Sequence, residues 1–235
     1  GAGIAAATNA ACAVATGDRV ALLDHDDLLH PAALWWMARL LGDDPDLDVI
    51  YTDEDKLDPA GNRVDPLFKP DWNPDLLLGC NYLNHLTALR ADLVRQVGGW
   101  RTTHDGSQDH DLLLRITEAT DRVGHIARPL YHWRMVEGSE AQTAGVKPAA
   151  ADAGRRAVAE AIDRRGLLAS VEAGRLPTWH RVRWHHGEDP LVSIIIPTRD
   201  RGELLQRCVG SLRRTVAHPH VELVIVDNES TDPTT

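Results

Sequence analysis

The chain is 235 residues long, enough for one α/β domain with a substantial core, and its 43% hydrophobic and 26% charged residues are typical of a globular protein. A formal net charge of -10 argues against general nucleic-acid binding, which requires a basic surface. Three widely spaced cysteines, Cys12, Cys80 and Cys208, indicate neither a disulfide framework nor a zinc site and favour a reducing compartment. No apolar run reaches the roughly 18 residues that a membrane-spanning helix needs.

An acidic cluster follows the first apolar run. Residues 20–23 predict a buried strand, and Asp24, Asp26 and Asp27 come directly after it. Ligands of open α/β sheets bind beyond the carboxyl ends of strands, and Mg²⁺ or Mn²⁺ prefers carboxylate oxygens. The cluster therefore predicts a cation site that holds a substrate phosphate. The alternative is a solvated acidic turn that caps a helix beginning at Pro31.

Helices and strands alternate along the rest of the chain. Apolar periodicity and Gly or Pro punctuation define most of their ends. The predicted elements are helices over 3–15, 31–41, 76–78, 91–97, 148–165 and 201–215, and strands over 20–23, 49–52, 85–89, 123–126, 129–134, 180–184, 192–196 and 221–226. Residues 106–109 introduce one more helix, with Leu112, Leu113 and Ile116 on its buried side. Three prolines make 64–73 an expected ordered loop, and 138–147 is an expected flexible polar stretch.

The segment from residue 191 onward has a different character. Two strongly apolar strands flank a helix, which predicts a βαβ unit with a right-handed crossover. The pattern indicates the beginning of a doubly wound domain.

Five segments in the first 134 residues together resemble the family 2 glycosyltransferases, which are inverting enzymes of the GT-A fold that use nucleotide-sugars. The segments are 22–27 (LLDHDD), 51–56 (YTDEDK), 97–100 (VGGW), 108–112 (QDHDL) and 131–134 (YHWR), and they occur in the family's order. Two later segments, 192–200 (VSIIIPTRD) and 224–232 (VIVDNESTD), resemble the strands that open the family's domain and hold the nucleotide.

The resemblance implies an α/β fold of the GT-A type, Rossmann-like with a doubly wound mixed sheet. Because the opening strands follow the catalytic half here, we expect an incomplete first domain over 1–168, a linker over 169–190 and the opening βαβ unit of a second domain over 191–235. This arrangement would be a piece of a tandem glycosyltransferase; a circular permutation is the alternative. As such a piece, the chain alone is expected to have weak or no transferase activity.

The resemblance also implies the partners. We expect a nucleotide-diphospho-sugar donor (a UDP-, dTDP- or GDP-sugar), a glycan or lipid-linked acceptor, and a Mn²⁺ or Mg²⁺ ion held by Asp24 and Asp26. The cation would stabilise charge on the leaving diphosphate. The expected location is the cytoplasm, at most peripheral at the inner face of the membrane.

The acceptor side is expected around residues 99–111. By the resemblance Asp109 is the general base, although it could instead only cap its helix. The family more often has Glu-Asp where this chain has Gln-Asp, which leaves Asp109 as the base candidate of the pair. Gly99 would allow a close backbone approach, Trp100 would stack on an acceptor sugar or else be a core residue, and Asp111 would face the acceptor or solvent.

Four further residues are expected near the donor. His132 is either a third cation ligand or diphosphate contact, or a structural histidine. Arg134 would neutralise diphosphate charge. Asp27 would bind a sugar hydroxyl or cap the following helix, and Asp53 would lie near the sugar or on a solvated acidic edge.

The later strands imply a separate nucleotide pocket. In it, Pro197, Thr198, Asp200 and Asp227 would hold the base and ribose for the second domain.

Two other functions fit parts of the pattern. A haloacid-dehalogenase-like phosphatase also places Asp-x-Asp after an apolar strand, but the later segments match the transferase order better. A non-catalytic glycosyltransferase-like binding module is the other alternative.

Overall fold

The computed structural model describes residues 3–135, 148–185, 187, 189–233 and 235. The stretch expected to be flexible, 138–147, lies outside these residues. The helices are α1 (Ile4–Val14), α2 (Ala33–Asp43), α3 (Pro74–Gly79), α4 (Ala91–Gln96), α5 (Gln108–Ala119), α6 (Pro148–Arg164) and α7 (Gly202–Thr215). The strands are β1 (Arg19–Ala21), β2 (Leu28–Leu29), β3 (Val49–Leu57), β4 (Arg63–Leu67), β5 (Thr87–Arg90), β6 (Val123–Arg134), β7 (Ala169–Ala173), β8 (His180–Trp184), β9 (Val192–Thr198) and β10 (Val221–Asp227).

The chain divides into two compact units, Gly1–Trp184 and His185–Thr235. The first is built on a six-stranded mixed sheet of order β1-β5-β3-β6-β2, with β4 paired to β3. β3 and β6 are parallel, and the other pairs of this sheet are antiparallel. The α/β prediction with a mixed sheet is therefore confirmed.

Strand β3 lies at the centre of the sheet, and its apolar residues pack into the core on both faces. Val49 and Tyr51 belong to one core cluster, together with apolar residues of α5 and α6. Ile50 belongs to the other, together with Ala33 and Met37 of α2. Successive strand side chains point to opposite faces, so a run that is apolar on both must be covered by helices on both.

The structure corrects the expected buried strand over 20–23. Strand β1 ends at Ala21 and pairs with β5, and no other described strand pairs with it. Its residues are therefore only half-buried or exposed, as at a sheet edge. The acidic residues follow in a turn, which ends in the short strand β2.

Residues 64–73 were expected to be a loop without regular structure, and this is wrong for its first part. Strand β4 pairs with β3 over this region, with a register shift in the pairing. Pro66 is tolerated because a proline that donates no ladder hydrogen bond fits an edge strand or a bulge. The two strands expected over 123–126 and 129–134 are one strand, β6, whose pairing with β3 also shifts in register.

The linker expected over 169–190 is wrong for residues 169–184. Strands β7 and β8 form an antiparallel hairpin. The hairpin packs against α3 and α6, so these residues belong to the first unit.

The second unit contains β9, α7 and β10. The two strands pair in parallel along their whole length, from Val192 opposite Val221 to Thr198 opposite Asp227. This is the expected βαβ unit. Among the residues that the structure describes, no helix is both long and apolar enough to span a bilayer.

Candidate active site

The turn after β1 presents two of its three aspartates to solvent. The Asp27 amide donates to the Asp24 carbonyl, 3.2 Å away, which closes the turn. Asp24 is exposed and Asp26 half-exposed, whereas Asp27 is buried. The accessible carboxylates are therefore those of Asp24 and Asp26, the two expected cation ligands.

Asp27 fastens this turn to β6. The Tyr131 hydroxyl donates to Asp27 Oδ2 at 2.6 Å, and the Arg134 amide donates to Oδ1 at 2.9 Å. Burial is the largest influence and raises the pKa of the Asp27 carboxyl, although these hydrogen bonds oppose it. Because α2 begins only at Ala33, Asp27 does not cap the helix, and its oxygens bind the protein itself.

His85 lies beside the exposed acid. Its Nε2 is 3.8 Å from Asp24 Oδ2, and its Nδ1 is 3.6 Å from Glu54 Oε2 on β3. The ring stacks on Tyr131 with 4.9 Å between centroids. Sequence reasoning did not find His85, because a lone histidine in an apolar stretch carries no motif signal.

A buried lysine stands behind this histidine. Lys69 Nζ donates to Glu54 Oε2 at 3.2 Å and to the His85 carbonyl at 2.7 Å. Burial opposes ionisation of Glu54, but His85 and Lys69 outweigh it and lower the Glu54 pKa. The cluster is thus a buried ion pair that fixes the His85 backbone.

Asp109 is held at the first turn of α5 by two donors. The Trp100 indole Nε1 donates to Oδ1 at 2.7 Å, and the Gln108 amide donates to Oδ2 at 3.0 Å. Burial is the largest cause and raises the pKa of this carboxyl; Asp24 raises it further, whereas His85 lowers it. Coulomb interactions weaken with distance, so Asp24 and His85 affect the Asp109 pKa because they belong to the same region of the fold. We call Asp24, His85 and Asp109 the electrostatic group.

Two acceptor-side expectations are corrected. Asp111 has no exposed surface and binds the guanidinium groups of Arg101 and Arg115, so it faces neither acceptor nor solvent. Trp100 is only 2% exposed, which makes it the core residue of the alternative reading, and its polar edge positions Asp109. Gly99 has φ +67° and faces Asn9 of α1, where a Cβ would lie 2.4 Å from the amide oxygen.

The carboxylates of β3 are internal. Asp53 is 1% exposed; it accepts from the Lys69 amide, and its Oδ1 lies 2.9 Å from His125 Nε2. The expected solvated edge is therefore wrong, because the Asp53 carboxylate is enclosed by these protein partners.

His132 pairs with a second β3 carboxylate. Its Nδ1 lies 2.6 Å from Asp55 Oδ1, in a buried setting. Carboxylate partners of this kind orient histidines that ligate metals through the other nitrogen, but they also occur in purely structural pairs. Among the described residues, Asp24, Asp26 and His132 do not form a group of three with ligand atoms within 4.8 Å of one another.

One group does meet that distance: His104, Asp111 and Glu160. Arg101 lies within it and contacts both carboxylates. A guanidinium already supplies the positive charge there, so the chemistry of the group favours a structural ion cluster over a cation site.

The second unit has its own polar edge at the carboxyl ends of β9 and β10. Asp200 Oδ1 accepts from the Thr231 and Asp232 amides at 2.6 and 2.8 Å, and these bonds lower the Asp200 pKa. The Asn228 amide donates to the Thr198 carbonyl, and Asp227 accepts from the Ser230 amide at 3.1 Å. The structure thus brings Thr198, Asp200 and Asp227 together, with Pro197 one residue earlier on β9.

Comparison with known proteins gives three findings. Residues 193–235 match the family model described as "Glycosyl transferase family 2". The chain is 45% identical over 232 residues to the "Uncharacterized protein y4gI" of Sinorhizobium fredii and 43% identical over 231 residues to the "O-antigen biosynthesis protein RfbC" of Myxococcus xanthus. These alignments cover 97% and 98% of this chain, but only 26% and 18% of the relatives.

The solved structure of S. aureus TarS 1-349 in complex with UDP-GlcNAc is also similar, with a TM-score of 0.54 at 17% identity. The likeness covers 68% of this chain and 47% of that one. This share exceeds the length of the second unit, so most of the likeness falls in Gly1–Trp184. At this identity it shows the fold, and the expected GT-A architecture is confirmed.

Proposed function

We propose that Gly1–Trp184 carries the cation and acceptor part of an inverting sugar transfer. The family 2 glycosyltransferase model that matches residues 193–235 and the 43% identity to the RfbC relative support this proposal. The donor is a nucleotide-diphospho-sugar and the acceptor is a hydroxyl of a glycan or of a lipid-linked glycan. The observation that carries the proposal is the pair of accessible carboxylates, Asp24 and Asp26, on the turn that Asp27 binds to β6. The alignments span only 26% and 18% of the two relatives, so the activity of a whole protein is part of this proposal.

Asp24 and Asp26 fit a divalent cation. Both carboxylates reach solvent, and hard cations such as Mn²⁺ and Mg²⁺ take carboxylate oxygens together with water and substrate phosphate. When bound, the cation would offset the charge that the leaving diphosphate gains. His132, which is buried against Asp55, takes the structural role of the other reading. Arg134 is retained as a candidate diphosphate contact because it ends β6 beside Asp27.

Asp109 is proposed to accept the proton of the attacking hydroxyl. The hydroxyl oxygen attacks the anomeric carbon, the bond from that carbon to the diphosphate oxygen breaks, and the nucleoside diphosphate leaves. The Trp100 and Gln108 donors fix the carboxylate for this role, and the raised pKa makes it a better proton acceptor than an ordinary aspartate.

The second unit is proposed as the nucleotide end of a further domain of the same family, with Pro197, Thr198, Asp200 and Asp227 around the base and ribose. The family match over residues 193–235 supports this assignment. Because both long relatives align with nearly the whole chain, the order of the two units recurs in them, which favours a tandem arrangement over a permuted domain.

The first donor to test is UDP-GlcNAc, the ligand named for TarS, and the first acceptors are bacterial surface polysaccharides, because the RfbC relative is named for O-antigen biosynthesis. We place the reaction in the cytoplasm, in keeping with three unpaired cysteines. A phosphatase gains no support from the family that matches.

Turnover tests the proposal. Radiolabelled UDP-GlcNAc is incubated with the chain, Mn²⁺ and a polysaccharide acceptor, and labelled product and free UDP are counted; UDP-glucose and GDP-mannose serve as further donors. We expect slow, Mn²⁺-dependent release that falls about 10²–10⁴-fold in Asp109→Asn. Asp105→Asn, which changes a nearby carboxylate outside the electrostatic group, is the matched control. A rate in Asp109→Asn equal to that of the wild type would show that Asp109 is not the base. Donor binding without any turnover, also in a longer chain that supplies the nucleotide half of the first domain, would favour the non-catalytic binding module.

A further inference from the structure

We propose that His85 is the nitrogen ligand of the cation site, with Nε2 and Asp24 Oδ2 binding the same divalent ion. The inference rests on the proposed function, because it needs a cation at Asp24 and Asp26. It replaces His132 in that role.

The distance between the two ligand atoms suits a shared ion. Two ligands about 2.1 Å from an octahedral cation lie about 3.0 Å apart when adjacent and about 4.2 Å apart when opposite. The Nε2 of His85 and the Oδ2 of Asp24 are 3.8 Å apart, between these limits. Small rotations of an exposed aspartate therefore bring both atoms onto one ion.

The orientation of the ring directs Nε2 toward the exposed acid. Nδ1 lies 3.6 Å from Glu54 Oε2, longer than a hydrogen bond, and in the described part of the chain it has no hydrogen-bond partner. Nε2 is therefore the ring nitrogen that faces Asp24.

His85 is held rigidly. Its amide donates to Glu54, and its carbonyl accepts from Lys69 Nζ. The ring lies against Tyr131 and Trp133, with centroids 4.9 and 5.2 Å away. Two backbone hydrogen bonds and two ring contacts thus fix His85, whose side chain is still 19% exposed, and a fixed but accessible side chain suits a cation ligand.

The neighbouring histidines offer poorer alternatives. Both nitrogens of His125 face carboxylates, Asp53 and Asp71. His132 is buried, and its Nδ1 lies 2.6 Å from Asp55 Oδ1. His25 has a side chain that is 97% exposed; its Nδ1 lies 3.6 Å from Asp26 Oδ1, but it lacks the packing that fixes His85.

Electron paramagnetic resonance of Mn²⁺ tests this assignment without an activity assay. Bound Mn²⁺ is counted with the ion alone and with Mn²⁺ plus UDP, and pulsed spectra detect coupling to histidine nitrogen on protein labelled with ¹⁵N-histidine. We expect nitrogen coupling in the wild type and in the His25→Ala and His132→Ala controls. We expect it to vanish in His85→Ala, with Mn²⁺ affinity reduced about tenfold or more.

The alternative outcomes separate the two proposals. If His85 were only a counter-charge for Asp24, its removal would leave Mn²⁺ affinity unchanged or increased, and nitrogen coupling would persist or never appear; this overturns the ligand assignment. If Asp26→Ala abolishes binding in that case, the cation site itself stands. No Mn²⁺ binding by the wild type at millimolar concentration, with or without UDP, overturns both. Should circular dichroism show that His85→Ala is unfolded, His85→Gln is used, which is expected to bind Mn²⁺ without nitrogen coupling.

Discussion

At the scale of single residues, the site residues that could be predicted from the sequence are those that belong to short sequence motifs. Asp24, Asp26 and Asp109 were named from short motifs, and the structure brings Asp24 and Asp109 into one electrostatic group. His85, Glu54 and Lys69 were missed because their association depends on β3, β5 and a loop meeting in space. These three residues are far apart along the chain, so no spacing in the sequence predicts their contact.

The Asp109 carboxyl gives a prediction with a definite sign. Burial raises its pKa, so the folded protein holds this proton more tightly than the unfolded chain does. The stability that it contributes is full below the unfolded pKa, about 4, and is lost as pH rises through the folded pKa. Asp109→Asn cannot ionise, and its Tm is expected to exceed that of the wild type at pH 7 by more than at pH 4. Calorimetric melting at both pH values measures this, and an equal difference at the two would contradict it.

Asp111 provides a second prediction, because its buried position makes it structural. Asp111→Asn leaves the largely buried Arg115 without its charged partner, so we expect a loss of about 3 kcal/mol or more in the free energy of unfolding, measured in urea. Asp92→Asn, at an exposed ion pair, is the control and should change stability far less. A stable Asp111→Asn variant with weakened acceptor binding would instead restore the acceptor role.

At the scale of elements, strong apolar periodicity predicted most helices and the central strand, whereas the edges of the sheet were predicted poorly. The structure shortens β1 and adds β4 and β7. Edge strands carry weak hydrophobic signals because one of their sides has no neighbour, and proline in β4 argued against a strand. The strand over 180–184 was predicted and is confirmed as β8, but it was placed in a linker and β7 was missed, because the contacts of the hairpin with α3 and α6 are tertiary.

Two helical glycines make a matched test of these elements. A Cβ at Gly154 of α6 would lie 2.8 Å from the His180 ring, so Gly154→Ala should push α6 from β8 and destabilise the fold by about 1–3 kcal/mol. A Cβ at Gly42 of α2 meets nothing within 4 Å, so Gly42→Ala should stabilise by about 0.5–1 kcal/mol through helix propensity. The midpoints of denaturant unfolding are measured for both variants and compared with that of the wild type. Midpoint shifts of the same sign in the two variants would contradict this packing.

At the scale of the whole molecule, the two units differ in how much apolar surface they bury. The first has two core clusters, whereas the second leaves Ile195, Leu204 and Ile225 exposed by 66%, 57% and 48%. A small unit with little burial is expected to open more readily than a large one.

Hydrogen exchange read by mass spectrometry tests this difference. Amides of β9 and β10 should exchange at least about tenfold faster than those of β3 and β6, because opening the second unit exposes less additional apolar surface. Peptides from α7 should behave like β9. Equal protection in the two units would show that they unfold as one.

The central claim is that the turn after β1 holds a cation that binds a diphosphate. Calorimetric titration of UDP into the chain, with and without Mn²⁺, tests it most directly in the wild type, in Asp26→Ala and in Asp46→Ala, which removes an exposed acid elsewhere. We expect Mn²⁺-dependent binding of UDP in the wild type and in Asp46→Ala, and the loss of this binding in Asp26→Ala. Binding that is unchanged in Asp26→Ala, or that needs no cation, would contradict it.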